Sequence, residues 1–124
     1  MAIDENELVR QLDDSITTSA RTSYELFARA KFPTTLSAQF GGHGYIDREL
    51  RFHHNDRWYF AAVLNKSWVL WYFRRPAISD LGLSSSDLIQ IFPAAEVTSG
   101  GEVKIRVQDQ ITAYALLGWL TQTL

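Results

Sequence analysis

The chain has 124 residues, 46% of them hydrophobic and 13% aromatic, with a net charge of −2 and no cysteine. That length fits one domain with a real core, and the composition excludes a disordered chain, a disulfide framework, a thiol nucleophile and cysteine-ligated zinc. No apolar run reaches the roughly 18–20 residues of a membrane span, and "MAIDENELVRQL" carries acids where a signal peptide needs basic and then apolar residues, so a soluble, cytoplasmic protein is expected.

The first third reads as helix. Asp4 and Glu7 have capping-box spacing, and Leu8, Leu12 and Ile16 recur every four residues. "SITTSARTS" is rich in side chains that compete for backbone hydrogen bonds. Thr22 with Glu25 then offers a second cap before "YELFARAK", which Pro33 ends. Two helices with a break near residues 17–22 are predicted, one long helix being the alternative.

From residue 35 the period changes to two. "TLSAQF" suits a short strand and "GGHG" a turn. "YIDRELRFH" sets Ile46, Leu50 and Phe52 on one face and Asp47, Glu49 and Arg51 on the other, with Arg48 discordant on the apolar side. A turn at Asn55-Asp56 leads to "RWYFAAVL", and "NK" leads to "SWVLWYFR". If Asn65-Lys66 is a two-residue turn, Val63 faces Trp68, Ala61 faces Leu70, Tyr59 faces Tyr72 and Arg57 faces Arg74. The other side pairs Ala62 with Val69, Phe60 with Trp71 and Trp58 with Phe73. Both faces of this hairpin are apolar, so each needs a cover. Helices can supply one; another element, a second copy of the chain or a ligand must supply the other.

After Pro76 the chain turns. "SSSDLIQIF" reads as a short helix with Ser84 and Asp87 at its start. "AAEV" and "EVKIRV" read as a hairpin with Val103, Ile105 and Val107 inward. A final helix begins at Gln108 or Asp109, with Ile111, Ala115 and Leu120 as core candidates. No internal repeat or interdomain linker interrupts the chain. The expected fold is a single α+β domain over residues 1–124: N-terminal helical segments, a mainly antiparallel four-to-six-stranded meander, a short helix, and a C-terminal helix packed on the sheet.

The charges are segregated. Residues 51–76 hold five cations, Arg51, Arg57, Lys66, Arg74 and Arg75, against Asp56 alone, a net +4 that leaves −6 for the rest. Arg51, Arg57, Trp58, Trp71, Phe73, Arg74 and Arg75 therefore form the candidate binding set. Trp, Tyr and Arg dominate protein hot spots, which points to a protein partner of acidic character. Aromatics beside arginines also suit stacked bases and gripped phosphates, making nucleic acid the alternative partner. The competing structural account makes the aromatics core and pairs the arginines with Asp80 or the acidic first helix.

Other motifs are weaker. His53 and His54 point to opposite faces of a strand and cannot easily share a metal, and His43 lies in the glycine turn. Glu102 and Lys104 make an E-x-K with Asp87 upstream, the spacing of a Mg²⁺-dependent nuclease, but any exposed strand yields that spacing often. "GGHG", "SGG" and Ser84-Ser85-Ser86 lack the context of a phosphate loop or nucleophile elbow. No catalytic residue, cofactor or metal is assigned. The expectation is a small non-catalytic binding protein of the inhibitor, immunity or regulatory type, with a homodimer as one way to cover the second apolar face.

Overall fold

A computed structural model describes residues 3–32, 35–41 and 47–124. Asp4 caps helix α1 (Glu5–Gln11) by accepting from the Glu7 amide, as its spacing predicts. The break that follows spans residues 12–17, earlier than expected. Thr17 rather than Thr22 caps α2 (Thr18–Arg29), and the Thr22 hydroxyl instead donates to the Thr18 carbonyl one turn back. Arg21 closes the connection by donating to the carbonyls of Leu12 at 2.9 Å and Asp13 at 2.8 Å. Within this pair, buried Gln11 accepts from the Tyr24 hydroxyl. Burial pushes the Tyr24 phenol far above its ordinary value, with Glu49 adding to the shift.

Among the described residues six antiparallel strands follow: β1 (Leu36–Phe40), β2 (Glu49–His54), β3 (Arg57–Leu64), β4 (Val69–Phe73), β5 (Ala95–Val97) and β6 (Val103–Val107), in the spatial order β1-β2-β3-β4-β6-β5. The α+β class and the meander are as predicted. The β2–β3 turn is Asn55-Asp56, both with positive φ (47° and 69°), the backbone that favours Asn and Asp in two-residue hairpins. The β3–β4 connection is wider than expected. Asn65 N donates to Trp68 O, so the loop takes four residues and Leu64 faces Val69. The register is therefore displaced by two from the predicted one: Phe60 faces Phe73, Ala61 faces Tyr72 and Ala62 faces Trp71. A shift of two preserves the faces.

Between β4 and β5 lie two short helices, α3 (Arg75–Asp80) and α4 (Ser85–Ile91). The sequence reading places only a turn at α3. Pro76 there sits in the first helical turn, where its missing N–H is harmless, and Gly82 ends the segment at φ +62°. Ser84 and Asp109 cap α4 and the last helix, α5 (Gln110–Thr123), as expected.

One face of the sheet is the core. Phe52, Phe60, Ala62, Val69, Trp71, Phe73, Val103, Ile105 and Val107 are fully buried there. Phe27 of α2 packs 5.0 Å from Trp71, and Trp119 of α5 packs 5.2 Å from Phe73. In α5 the inward stripe is Ala113, Leu116 and Leu120. Ile111 is 81% exposed and Ala115 also faces solvent, so two of the three expected core positions fall outside it. Arg48, the discordant cation, is neutralised by Asp13. Pro33, residues 42–44 of the "GGHG" turn with His43, and Ile46 lie outside the described residues.

Candidate functional site

The sheet face away from α2 and α5 carries the side chains of opposite parity. Its central cross-strand row runs Gln39, Arg51, Ala61, Tyr72, Lys104 and Glu96, and beside it Glu49, Val63, Leu70 and Arg106 form a second row. On this outer face the hairpin supplies Ala61, which is buried, and Val63, Leu70 and Tyr72, which are partly buried, while the flanking strands supply mostly charged and polar side chains.

A β-bulge rearranges it. Phe52 faces Phe60, yet the next residue, His53, faces Trp58, so one residue of β3 is extra. Strict alternation puts Trp58 beside Phe60 and Ala62 on the core face. The bulge turns it to the outer face instead. Its indole N–H donates to the Phe60 carbonyl at 2.8 Å, so the polar edge is satisfied within the bulge itself.

Two guanidinium groups then hold the Trp58 ring. Arg51 lies 4.3 Å and Arg74 3.8 Å from its centroid, distances at which a cation is drawn to the π-face. Each arginine has a second anchor. Arg51 pairs with the buried Glu49 at 2.6 Å. Arg74 donates to the Trp58 carbonyl at 2.9 Å and lies 3.7 Å from Glu102. His53 stacks alongside, 6.4 Å from the indole. Partial burial holds its imidazole below the ordinary value, and the charges of Arg51 and Arg74 push the same way. Burial raises the Tyr72 phenol, helped by Glu102 and Glu49.

The predicted binding residues separate into four groups. Arg51, Trp58 and Arg74 come together on the outer face. Arg57 does not face Arg74; it pairs with Asp80 at 3.0 Å, where the Tyr59 hydroxyl also donates. Arg75 leaves the sheet and donates to the Gly100 carbonyl. Trp71 and Phe73 are fully buried beneath the two long helices and offer no surface to a partner, because their parity in β4 is that of the core.

The positive block is therefore largely neutralised. Arg51, Arg57 and Arg74 each have a carboxylate within 4 Å. Among the described residues, no group of three or more His, Asp or Glu is placed to hold a metal ion. His53 and His54 do point apart, the latter lying over Tyr59. In the E-x-K, Glu102 is engaged by Arg74 and Lys104 faces Tyr72, while Asp87 belongs to the first turn of α4.

Sequence reasoning misses a second cluster on the same face. Trp68, at the end of the β3–β4 loop, has the Arg106 guanidinium 4.2 Å from its ring centroid. With Leu70, Glu96, Lys104 and Gln108 they line an open cleft of about 440 Å³. The alternation of β6 shows that Lys104 and Arg106 share a face, but nothing local shows that β6 lies beside β4. Comparison with family models, curated proteins and solved structures finds no match to this chain. No helix among the described residues is long and apolar enough to cross a membrane.

Proposed function

We propose that the protein is a small non-catalytic binding protein, of the inhibitor, immunity or regulatory type, that engages a protein partner through its outer sheet face. One observation carries this reading: a bulge turns Trp58 out of the core, and Arg51 and Arg74 hold it in place on that face. A tryptophan fixed by two anchored arginines, with Tyr72 on the same face, has the composition of a protein hot spot with little side-chain entropy left to lose.

Two features favour protein over nucleic acid. Two guanidinium groups already lie over the Trp58 ring, so a base stacks there only by displacing one of them. Three of the five cations in the basic segment are spent on carboxylates of the same chain, whereas nucleic-acid affinity rests on many uncompensated cations.

The test is affinity capture from nuclease-treated lysate of the source cells, comparing wild type with Trp58→Ala and Tyr72→Glu. Val9→Ala, on the exposed side of α1, is the control. The reading expects a protein retained by wild type and control and reduced about tenfold or more by both outer-face variants, the size of one hot-spot loss. Capture that ignores both variants, or that vanishes on nuclease treatment, would refute it.

A further inference from the structure

The cleft on the outer face between β4, β6 and β5 is separate from the Trp58 cluster. Lys104 and Arg106 occupy alternate positions of β6 and project to the same side. Glu96 is the strand neighbour of Lys104, yet among the described residues neither Lys104 nor Arg106 has a carboxylate within 4 Å. These two cations are thus unspent, unlike Arg51, Arg57 and Arg74. Stacking on Trp68 limits the freedom of the Arg106 guanidinium while leaving its N–H edge free to donate. Half-buried Leu70 supplies an apolar floor, and the 440 Å³ volume falls within the range of ligand-binding clefts.

We propose that this cleft receives an acidic side chain of the partner protein, a Glu or Asp flanked by an aliphatic or aromatic residue. The carboxylate sits between the Lys104 ammonium and the Arg106 guanidinium, and the neighbouring apolar side chain lies on Leu70 and Trp68. The charge count selects a monoanion. Lys104 and Arg106 against Glu96 leave one net positive charge in the lining, which a single carboxylate neutralises. A phosphate dianion or a run of phosphodiesters brings excess negative charge up to Glu96. The inference rests on the outer-face reading and adds the chemistry of what that face selects.

The experiment is a backbone-amide NMR titration of the full chain with a pool of terminally blocked decapeptides, each carrying one Glu or Asp between apolar residues. Matched Gln/Asn peptides, inorganic phosphate and a ten-nucleotide oligothymidylate are titrated in parallel. The acidic pool is expected to shift Trp68, Leu70, Lys104 and Arg106. Gln/Asn peptides should bind about tenfold or more weakly, as should Lys104→Gln/Arg106→Gln and the milder Arg106→Lys, since a charge-assisted hydrogen bond is worth at least one such factor. Equal binding of acidic and amide peptides, or no shifts at all, overturns the proposal. So does tighter binding of phosphate or the oligonucleotide at the same residues. Shifts confined to Arg51, Trp58 and Arg74 overturn the cleft while leaving the outer-face reading intact. Loss of captured partner on Trp58→Ala alone, with the cleft variants unaffected, separates the two in the same way.

Discussion

Replacing Arg51 by alanine removes the partner of a carboxylate that has almost no access to water. The Glu49 side chain is 5% exposed and that of Arg51 36%, with the two charges 2.6 Å apart. Breaking a fully buried pair by deleting one member costs about 3–5 kcal/mol, whereas a solvated pair is worth about 0.2–1 kcal/mol. A buried acid with a partly exposed base falls between, at about 2 kcal/mol. Loss of the Arg51–Trp58 stacking adds about 0.5–1 kcal/mol. Arg51→Ala should therefore lower unfolding stability by about 2–3 kcal/mol in urea denaturation, with the slope unchanged. Glu49→Gln in that background removes the stranded charge and should restore about 1 kcal/mol or more, so the double-mutant cycle shows a clear coupling energy. A coupling below about 0.5 kcal/mol would refute the reasoning, because it would mean that the Glu49 carboxylate does not depend on Arg51.

Gly41→Ala tests the same pair from the backbone: a Cβ there falls 2.5 Å from Glu49 Oε1 and closer still to Arg51 Nε, so calorimetry should show a loss of about 1–2 kcal/mol, and an unchanged transition would count against this packing. His53 should titrate below the ordinary imidazole value of about 6.5, and Arg74→Gln should raise its pKa by removing a neighbouring cation. Since its folded pKa is depressed, its contribution to stability is complete above about pH 6.5 and falls as pH drops toward the folded value; a His53 signal in an NMR titration that ignores Arg74→Gln would contradict the geometry. Ser23 is buried with no hydrogen-bond partner for its hydroxyl among the described residues, so Ser23→Ala should be neutral or stabilising, and a loss above about 1 kcal/mol in denaturation would show that the hydroxyl is engaged. Leu116→Ala should cost about 2–5 kcal/mol, while Ile111→Ser on the exposed side of α5 should cost less than about 0.5 kcal/mol; equal losses would reverse the assigned helix face.

The parts of this fold that are legible in the sequence are those set by local chemistry. Asp4, Ser84 and Asp109 lie three residues before the amides they cap, and Val103, Ile105 and Val107 alternate as an inward strand must. What is not legible depends on distant partners. The β3–β4 register rests on whether Ser67 and Trp68 belong to the loop or the strand, and both options keep the same faces. In α5, apolar residues surround the helix on nearly all sides, so periodicity alone cannot separate Ala113 and Leu116 from Ile111 and Ala115. The Arg74–Glu102 pair joins residues 28 positions apart, which no local pattern reveals, whereas Arg57 takes Asp80, the partner that the competing structural account names for the arginines.

The bulge bears most directly on function. An unbroken alternation through β3 gives Trp58 the parity of Phe60 and Ala62 and sends it inward to compete with Trp71 and Phe73 for a core already filled by Phe27, Phe52 and Trp119. The extra residue of the bulge puts the nearly buried Tyr59 between them, its hydroxyl bonded to Asp80, and sends Trp58 outward against two arginines. Trp58 stays partly buried on the outer face, so turning it outward forfeits less than the roughly 1.5–3 kcal/mol of a full transfer to water, and stacking against Arg51 and Arg74 returns part of that. In the proposed reading, a partner that covers the part still exposed recovers the remainder. On that proposal Trp58 is the side chain whose truncation should weaken binding more than it weakens the fold, and equal losses in capture and in unfolding stability would count against it.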